Sequence, residues 1–146
     1  RMFFTLQSTA QDFLVALYTK KNEDLNLVIK KDDQTNRLAD TIRRYLNKEQ
    51  KDPLNYALTE QLENIGDWYK NRAFEKNFSI SQNKLKKINE MIELLYDLYF
   101  AFTLEKLEYF GKQAQEIQKS LKGEESLEAL FTLLFDVHGI ILTKRV

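Results

Sequence analysis

Glu63 and Asp67 stand four residues apart in the stretch Gln61-Leu62-Glu63-Asn64-Ile65-Gly66-Asp67-Trp68-Tyr69-Lys70-Asn71. On a helix that spacing puts both carboxylates on one face, about one turn apart. Like charges so placed cost roughly 0.2–0.5 kcal/mol on an exposed helix, and Gly66 between them costs about 1 kcal/mol relative to Ala. Two arrangements would offset these costs: a cation held between the carboxylates, and a helix or ligand packed against a residue that lacks a Cβ. Oxygen donors of this kind suit Mg, Ca, Mn or Fe better than a zinc site of His and Cys. The plainer alternative is the acidic side of a surface helix, where Glu60, Glu63 and Asp67 gather and are neutralised by Lys70 and water.

Other reactive chemistry is sparse. There is one histidine, His138, and no cysteine. Disulfides, thiolate metal sites and cysteine nucleophiles are therefore excluded, and nucleophilic catalysis lacks its usual base. No Gly-rich phosphate loop, Gly-x-Ser-x-Gly or His-Glu-x-x-His occurs. A carboxylate pair could do acid-base work, but nothing beside it suggests a pocket, so the expected protein is not an enzyme. With 22 basic and 22 acidic residues the formal charge is zero. No global field recruits nucleic acid, and no turn with a basic recognition helix is present.

The chain of 146 residues, with four Gly and one Pro, reads as one all-helical domain. From Met2 to about Tyr18, Phe3, Leu6, Ala10, Phe13, Leu14 and Leu17 recur at helical period. A second helix, about Glu23 to Lys48, carries an apolar stripe of Leu25, Val28, Ile29, Ala39, Ile42 and Leu46 that is interrupted by Asp32, Thr35 and Asn36. Either this is a locally exposed patch, or Asp32 and Asn36 face Glu63 and Asp67 across a helix pair. Asp52-Pro53 marks the start of a third helix, with an N-cap and a proline at the first helical position, and the pattern runs to about Phe74. Its core stripe is Leu54, Leu58, Leu62, Ile65 and Tyr69.

Lys76 to Gln82, containing Asn77, Ser79 and Ser81, reads as a loop, with Ser81 as N-cap. Lys84 to Leu121 fits two arrangements: a pair of helices broken near Thr103 or Gly111, or one long helix. The absence of Pro, Asn-Gly or a polar cluster favours the long one. Tyr96, Tyr99, Phe100, Phe102, Tyr109 and Phe110 lie in this segment at spacing suited to packing, and rings left exposed would suit a partner. Lys122-Gly123 ends it. Ser126 to about Thr143 makes a last helix, apolar almost all round, which is buried or lies against a partner. Asp136 on so apolar a helix is expected to meet a cation, a basic side chain or backbone donors. His138 reads as a packed or rim residue.

No run of about 18 apolar residues is evident, so the chain as given is not expected to span a bilayer. Met2-Phe3-Phe4 is too short for a secretory signal, and a cytoplasmic location is expected. Arg1 ahead of Met2 suggests a domain cut from a larger parent.

Leu62, Glu63, Ile65, Gly66, Asp67 and Asn71 resemble the Leu-Glu-Arg-Ile-Gly-Asp-His-Ala-x-Asn motif of the PhoU family, regulators of phosphate uptake whose Glu/Asp-x-x-x-Asp motifs bind metal ions. A similar domain occurs at the cytoplasmic C-terminus of some sodium/phosphate cotransporters. The resemblance implies a bundle of five or six helices in two related halves, here 1–77 and a shortened 78–146. It implies metal ligands at Glu63 and Asp67, with Asp32 and Asn36 opposite. Asn36 departs from the acidic pair of related proteins, keeping an oxygen donor and losing a charge. In the second half, Asp136 and Gly139 stand in register with Glu63 and Gly66. Ile140 replaces the second Asp and Lys144 replaces Asn71, so the second site is dismantled. The resemblance further implies a non-catalytic role at the membrane, through contact with a phosphate transporter or sensor complex, with divalent metal or iron bound or absent and with room for a homodimer. The fused-domain form, on the cytoplasmic side of the inner membrane, is preferred over a free-standing regulator. A helical interaction or oligomerisation module unrelated to phosphate is the competing reading.

Overall fold

The computed structural model describes residues 1–48, 52–76 and 78–145 and is all-α. Six helices follow one another: α1 (Met2–Thr19), α2 (Asn22–Lys48), α3 (Pro53–Phe74), α4 (Gln82–Phe100), α5 (Leu104–Ser120) and α6 (Glu125–Arg145). Boundaries are set by local chemistry. Asp52 caps α3 by accepting a hydrogen bond from the Asn55 amide, with Pro53 at the first helical position. Ser81 does the same for α4 through the Lys84 amide. Gly123 adopts φ 87° in the turn before α6, a conformation that favours glycine. Asn77, placed by sequence in the loop between α3 and α4, lies outside the described residues.

The stretch from Lys84 to Leu121 is two helices, which corrects the expectation of a single long one. Ala101 ends α4 with φ −143° and ψ 64°, and Thr103 starts α5 by accepting from the Lys106 amide. A threonine cap with Glu105 in the first turn is a start signal that needs neither Pro nor Gly. The break folds α5 back against α4.

The first three helices meet the last three chiefly through α1 against α4 and α3 against α6. The shared core runs through Leu6, Phe13 and Leu17 of α1, Ile65 and Tyr69 of α3, and Leu85, Ile88 and Met91 of α4. Phe13 meets Tyr69 edge-on at a centroid distance of 5.8 Å, and the Tyr69 hydroxyl hydrogen-bonds Asn89 Oδ1 on α4 at 2.5 Å. Burial pushes the Tyr69 phenol well above its ordinary range, so it remains a donor.

α6 is less enclosed than its composition predicts. Leu127, Leu130, Phe131, Leu134, Val137 and Ile141 are buried, whereas Phe135 is 46% exposed. By length and composition α6 would also suffice to cross a bilayer, at a mean hydropathy of 1.5 over 18 residues, although polar residues interrupt it. A core helix passes the same test, and α6 packs on α3 and α4.

Candidate functional site

α2 is held against α3 by a stripe that is half apolar and half polar. Asp32, Asn36, Ala39 and Arg43 follow at steps of four, three and four, so all project from one face of α2. Leu25, Val28, Ala39 and Leu46 fill the apolar part of that side. Asp32 and Thr35 are buried and Asn36 is half-buried, so the interruption in the stripe is a polar interface, not an exposed patch.

The centre of that interface is Gly66. A Cβ there would lie 3.3 Å from Asp32 Oδ1, 3.4 Å from Thr35 Cγ2 and 3.5 Å from Leu6 Cδ2. Glycine therefore lets α1 and α2 close on α3 at this level, which accounts for a residue that lowers helix stability by itself.

Glu63 and Asp67 flank Gly66 on the same helix but bind different cations. Arg43 of α2 reaches Glu63 through Nη2, Glu60 through Nε at 2.5 Å, and Asp40 through Nη1 at 3.0 Å. The hydrogen bonds that Arg43 donates to Glu60 and Glu63 raise the guanidinium pKa further, so Arg43 is permanently charged. Asp67 instead shares Lys70. The Lys70 Nζ lies 3.2 Å from Asp32 Oδ2 and 3.5 Å from Asp67 Oδ1.

Asp32 is the most constrained group in the cluster, with its side chain 1% exposed. Its Oδ2 accepts from Lys70 and from Asn36 Nδ2 at 3.1 Å, while Oδ1 has no hydrogen-bond partner. Asn36 Oδ1 is likewise buried without one. Burial raises the Asp32 pKa, Asp67 adds to the rise, and Lys70 opposes it. For Lys70, burial works to lower the pKa, and Asp32 with Asp67 outweighs it, leaving the ammonium firmly protonated.

The five residues named as metal ligands from sequence thus divide into three settings. Asp32 and Asp67 converge on Lys70, and Asn36 donates its Nδ2 to Asp32 Oδ2. Glu63 lies on the Arg43 side. Asp136 is exposed on α6 and accepts a hydrogen bond from Gln61 Nε2 at 3.2 Å. Among the described residues no basic side chain or backbone donor pairs with Asp136, whose exposed place on α6 leaves its charge to solvent. Gly139, Ile140 and Lys144 are the positions that the resemblance aligns with the first motif. Nothing lies within 4 Å of where a Gly139 Cβ would sit, and Lys144 Nζ bonds Asn55 Oδ1 at 2.5 Å while lying 5.3 Å from the Tyr99 ring centroid.

A resident metal ion does not fit these groups as they stand. The donor chemistry is right, with two buried orphan oxygens and a glycine that opens the space, but side-chain cations already sit on the carboxylates. Among the described residues no three Asp, Glu, His or Cys side chains gather around one point. Arg43 was not singled out by sequence reasoning. Its signal was present, since it stands eleven residues after Asp32, three helical turns along the same face.

His138 packs at the rim, its ring stacked on Phe110 at 4.6 Å and tilted on Phe135 at 5.2 Å. Burial lowers its pKa, so it is neutral at physiological pH. Of the aromatic residues in α4 and α5, Phe110 is buried, Tyr96 and Tyr99 are half-buried, and Phe100 and Tyr109 are exposed. An open cleft of about 520 Å³ between these helices is lined by Leu94, Asp97, Thr103 and Tyr109, remote from Gly66 in sequence and not lined by the motif. Comparison with models of known families, with curated proteins and with solved structures finds no match to this chain.

Proposed function

We propose that this chain is a non-catalytic regulator of inorganic phosphate uptake, the PhoU-like cytoplasmic domain of a sodium/phosphate cotransporter, acting by contact with the transporter or a sensor complex. The observation that supports this reading is the interface at Gly66. Glu63, Gly66 and Asp67 of the stretch that resembles the family motif lie in the joint between α2 and α3, opposite Arg43 and Asp32 of α2, while Asn71 is exposed. In this reading the joint fixes the shape of a docking surface.

The test is phosphate uptake in cells that carry the parent protein with Glu63→Ala and Asp67→Ala together. Altered control of uptake, with helicity retained by circular dichroism, is the expected result. Unchanged uptake under both phosphate-replete and phosphate-starved conditions would sink it. A second reading, a helical interaction module unrelated to phosphate, is favoured by the exposed rings of Tyr45, Phe74, Phe100 and Phe135. A phosphate-starvation reporter indifferent to deletion of the domain selects that reading.

A further inference from the structure

Buried charge needs a partner, and the cluster around Gly66 has one supplied by its own chain. Asp32 is almost fully buried, carries one oxygen with no hydrogen-bond partner, and meets the Lys70 ammonium with the other. Asn36 adds a second buried oxygen without a partner one turn along α2. Asp67 comes from the opposite helix to the same ammonium. An ammonium is a compact monovalent charge with three donors and no preference for a fixed coordination shell. It satisfies Asp32 Oδ2 and Asp67 Oδ1 and leaves the two orphan oxygens unserved.

We infer that Lys70 is the built-in cation of the α2–α3 joint, and that Asp32, Asn36 and Asp67 form a latent site for a divalent oxygen-seeking ion that the Lys70 side chain keeps closed. The three side chains offer two carboxylates and, once the Asn36 amide that now turns its Nδ2 to Asp32 is reversed, one amide oxygen, a hard donor set suited to Mn or Ca. Gly66 contributes by leaving room beside Asp32 Oδ1, where a Cβ would press at 3.3 Å. The cluster accounts for Asp67 and Gly66 without requiring an ion in the native protein, while Glu63 is held separately by Arg43. Lys70 is three residues from Asp67 on the same helix, so a single side chain closes both sides of the site. This inference concerns the ionic content of the joint and does not rest on the phosphate reading. Indifference of cells to phosphate would sink that reading and leave this one standing.

The experiment compares purified wild type with Lys70→Met, measuring thermal unfolding and bound metal by equilibrium dialysis with chelator, Mn²⁺ or Ca²⁺. Wild type is expected to melt at the same temperature in all three and to retain no stoichiometric metal. Lys70→Met is expected to bind one ion. At an ion concentration about a hundredfold above the dissociation constant, its melting temperature should rise on the order of 5–10 °C over the chelator sample. Addition of Asp32→Asn should abolish that binding and the rise. A wild type that loses stability in chelator overturns the inference, because the ammonium would then not be the resident cation. So does a folded Lys70→Met that binds neither ion. If Lys70→Met folds only with Mn²⁺ or Ca²⁺, the inference holds. If it folds in no condition, Lys70→Gln, which keeps an amide donor for Asp32, is read in its place by the same criteria.

Discussion

Gly66 in α3 and Gly139 in α6 each stand three residues after an acid, yet their surroundings differ in kind. Gly66 is buried, with Asp32, Thr35 and Leu6 close enough to meet any added Cβ, while the space beside Gly139 is open. The acid three residues before each glycine differs too. Glu63 is bound by Arg43, and Asp136 accepts only an amide hydrogen bond at the surface. A middle helix accounts for the contrast. α2 has 27 residues and packs fully on α1 and α3, whereas α5 has 17, buries only Phe110, Ala114 and Ile117, and scarcely touches α6. A motif of acid and glycine acquires meaning from the helix opposite it. Where that helix is short and turned away, the same residues become surface.

The sharpest way to break this comparison is to remove one cation from the first half. Lys70→Met leaves Asp32 ionised and buried beside Asp67, and is expected to cost about 3 kcal/mol at neutral pH, the lower end for a broken buried pair because Lys70 is partly exposed. The pH dependence has a definite sign. Burial already raises the Asp32 pKa in the folded state, and loss of Lys70 raises it further. The folded variant then binds a proton more readily than the unfolded chain, so the penalty shrinks as pH falls through that raised pKa. Denaturant unfolding of variant and wild type at neutral and mildly acidic pH measures it. An equal penalty at both would show that the lysine acts through packing instead of charge.

Next in size is the glycine contrast. Gly66→Val is expected to destabilise by about 2–3 kcal/mol, because the added carbons enter space held by Asp32 and Thr35. Gly139→Ala should stabilise by up to about 1 kcal/mol, since helix propensity improves and nothing is displaced. Chemical denaturation of both variants checks the pair, and a similar change at the two sites would erase the distinction. Thr103→Ala is expected to cost about 1 kcal/mol through loss of the α5 cap. Smallest is Asp136→Ala, expected to stay within about 0.5 kcal/mol as an ordinary surface change, where Glu63→Ala strips Arg43 of a partner and costs more.

Helix existence was written plainly in the chain. The Asp52-Pro53 start, the Ser81 cap and the 3.6-residue recurrence of Leu58, Leu62, Ile65 and Tyr69 are local signals that tertiary structure had no reason to override. The break before Leu104 was less legible because a threonine cap resembles any other threonine until its amide partner is known. At the candidate site, the polar interruption Asp32, Thr35, Asn36 was visible, and its burial was not, since periodicity gives a face but not what covers it. The division of Glu63 and Asp67 between Arg43 and Lys70 depends on the register of two antiparallel helices, which no short-range pattern encodes. The exposure of Asp136 was hidden for the complementary reason: a helix apolar almost all round reads as buried or lying against a partner, and α6 leaves the Asp136 side in water.

The weak seating of α5 carries a consequence for how the molecule moves. A helix with three buried side chains and one main neighbour has a smaller free energy of local opening than the rest of the bundle. Its amide protons should exchange with solvent before those of α2, by excursions that leave the other five helices assembled. Each excursion would unstack Phe110 from His138 and expose the inner sides of α4 and α6. The bundle is thus a firm first half carrying a second half whose outer member is the least tightly held.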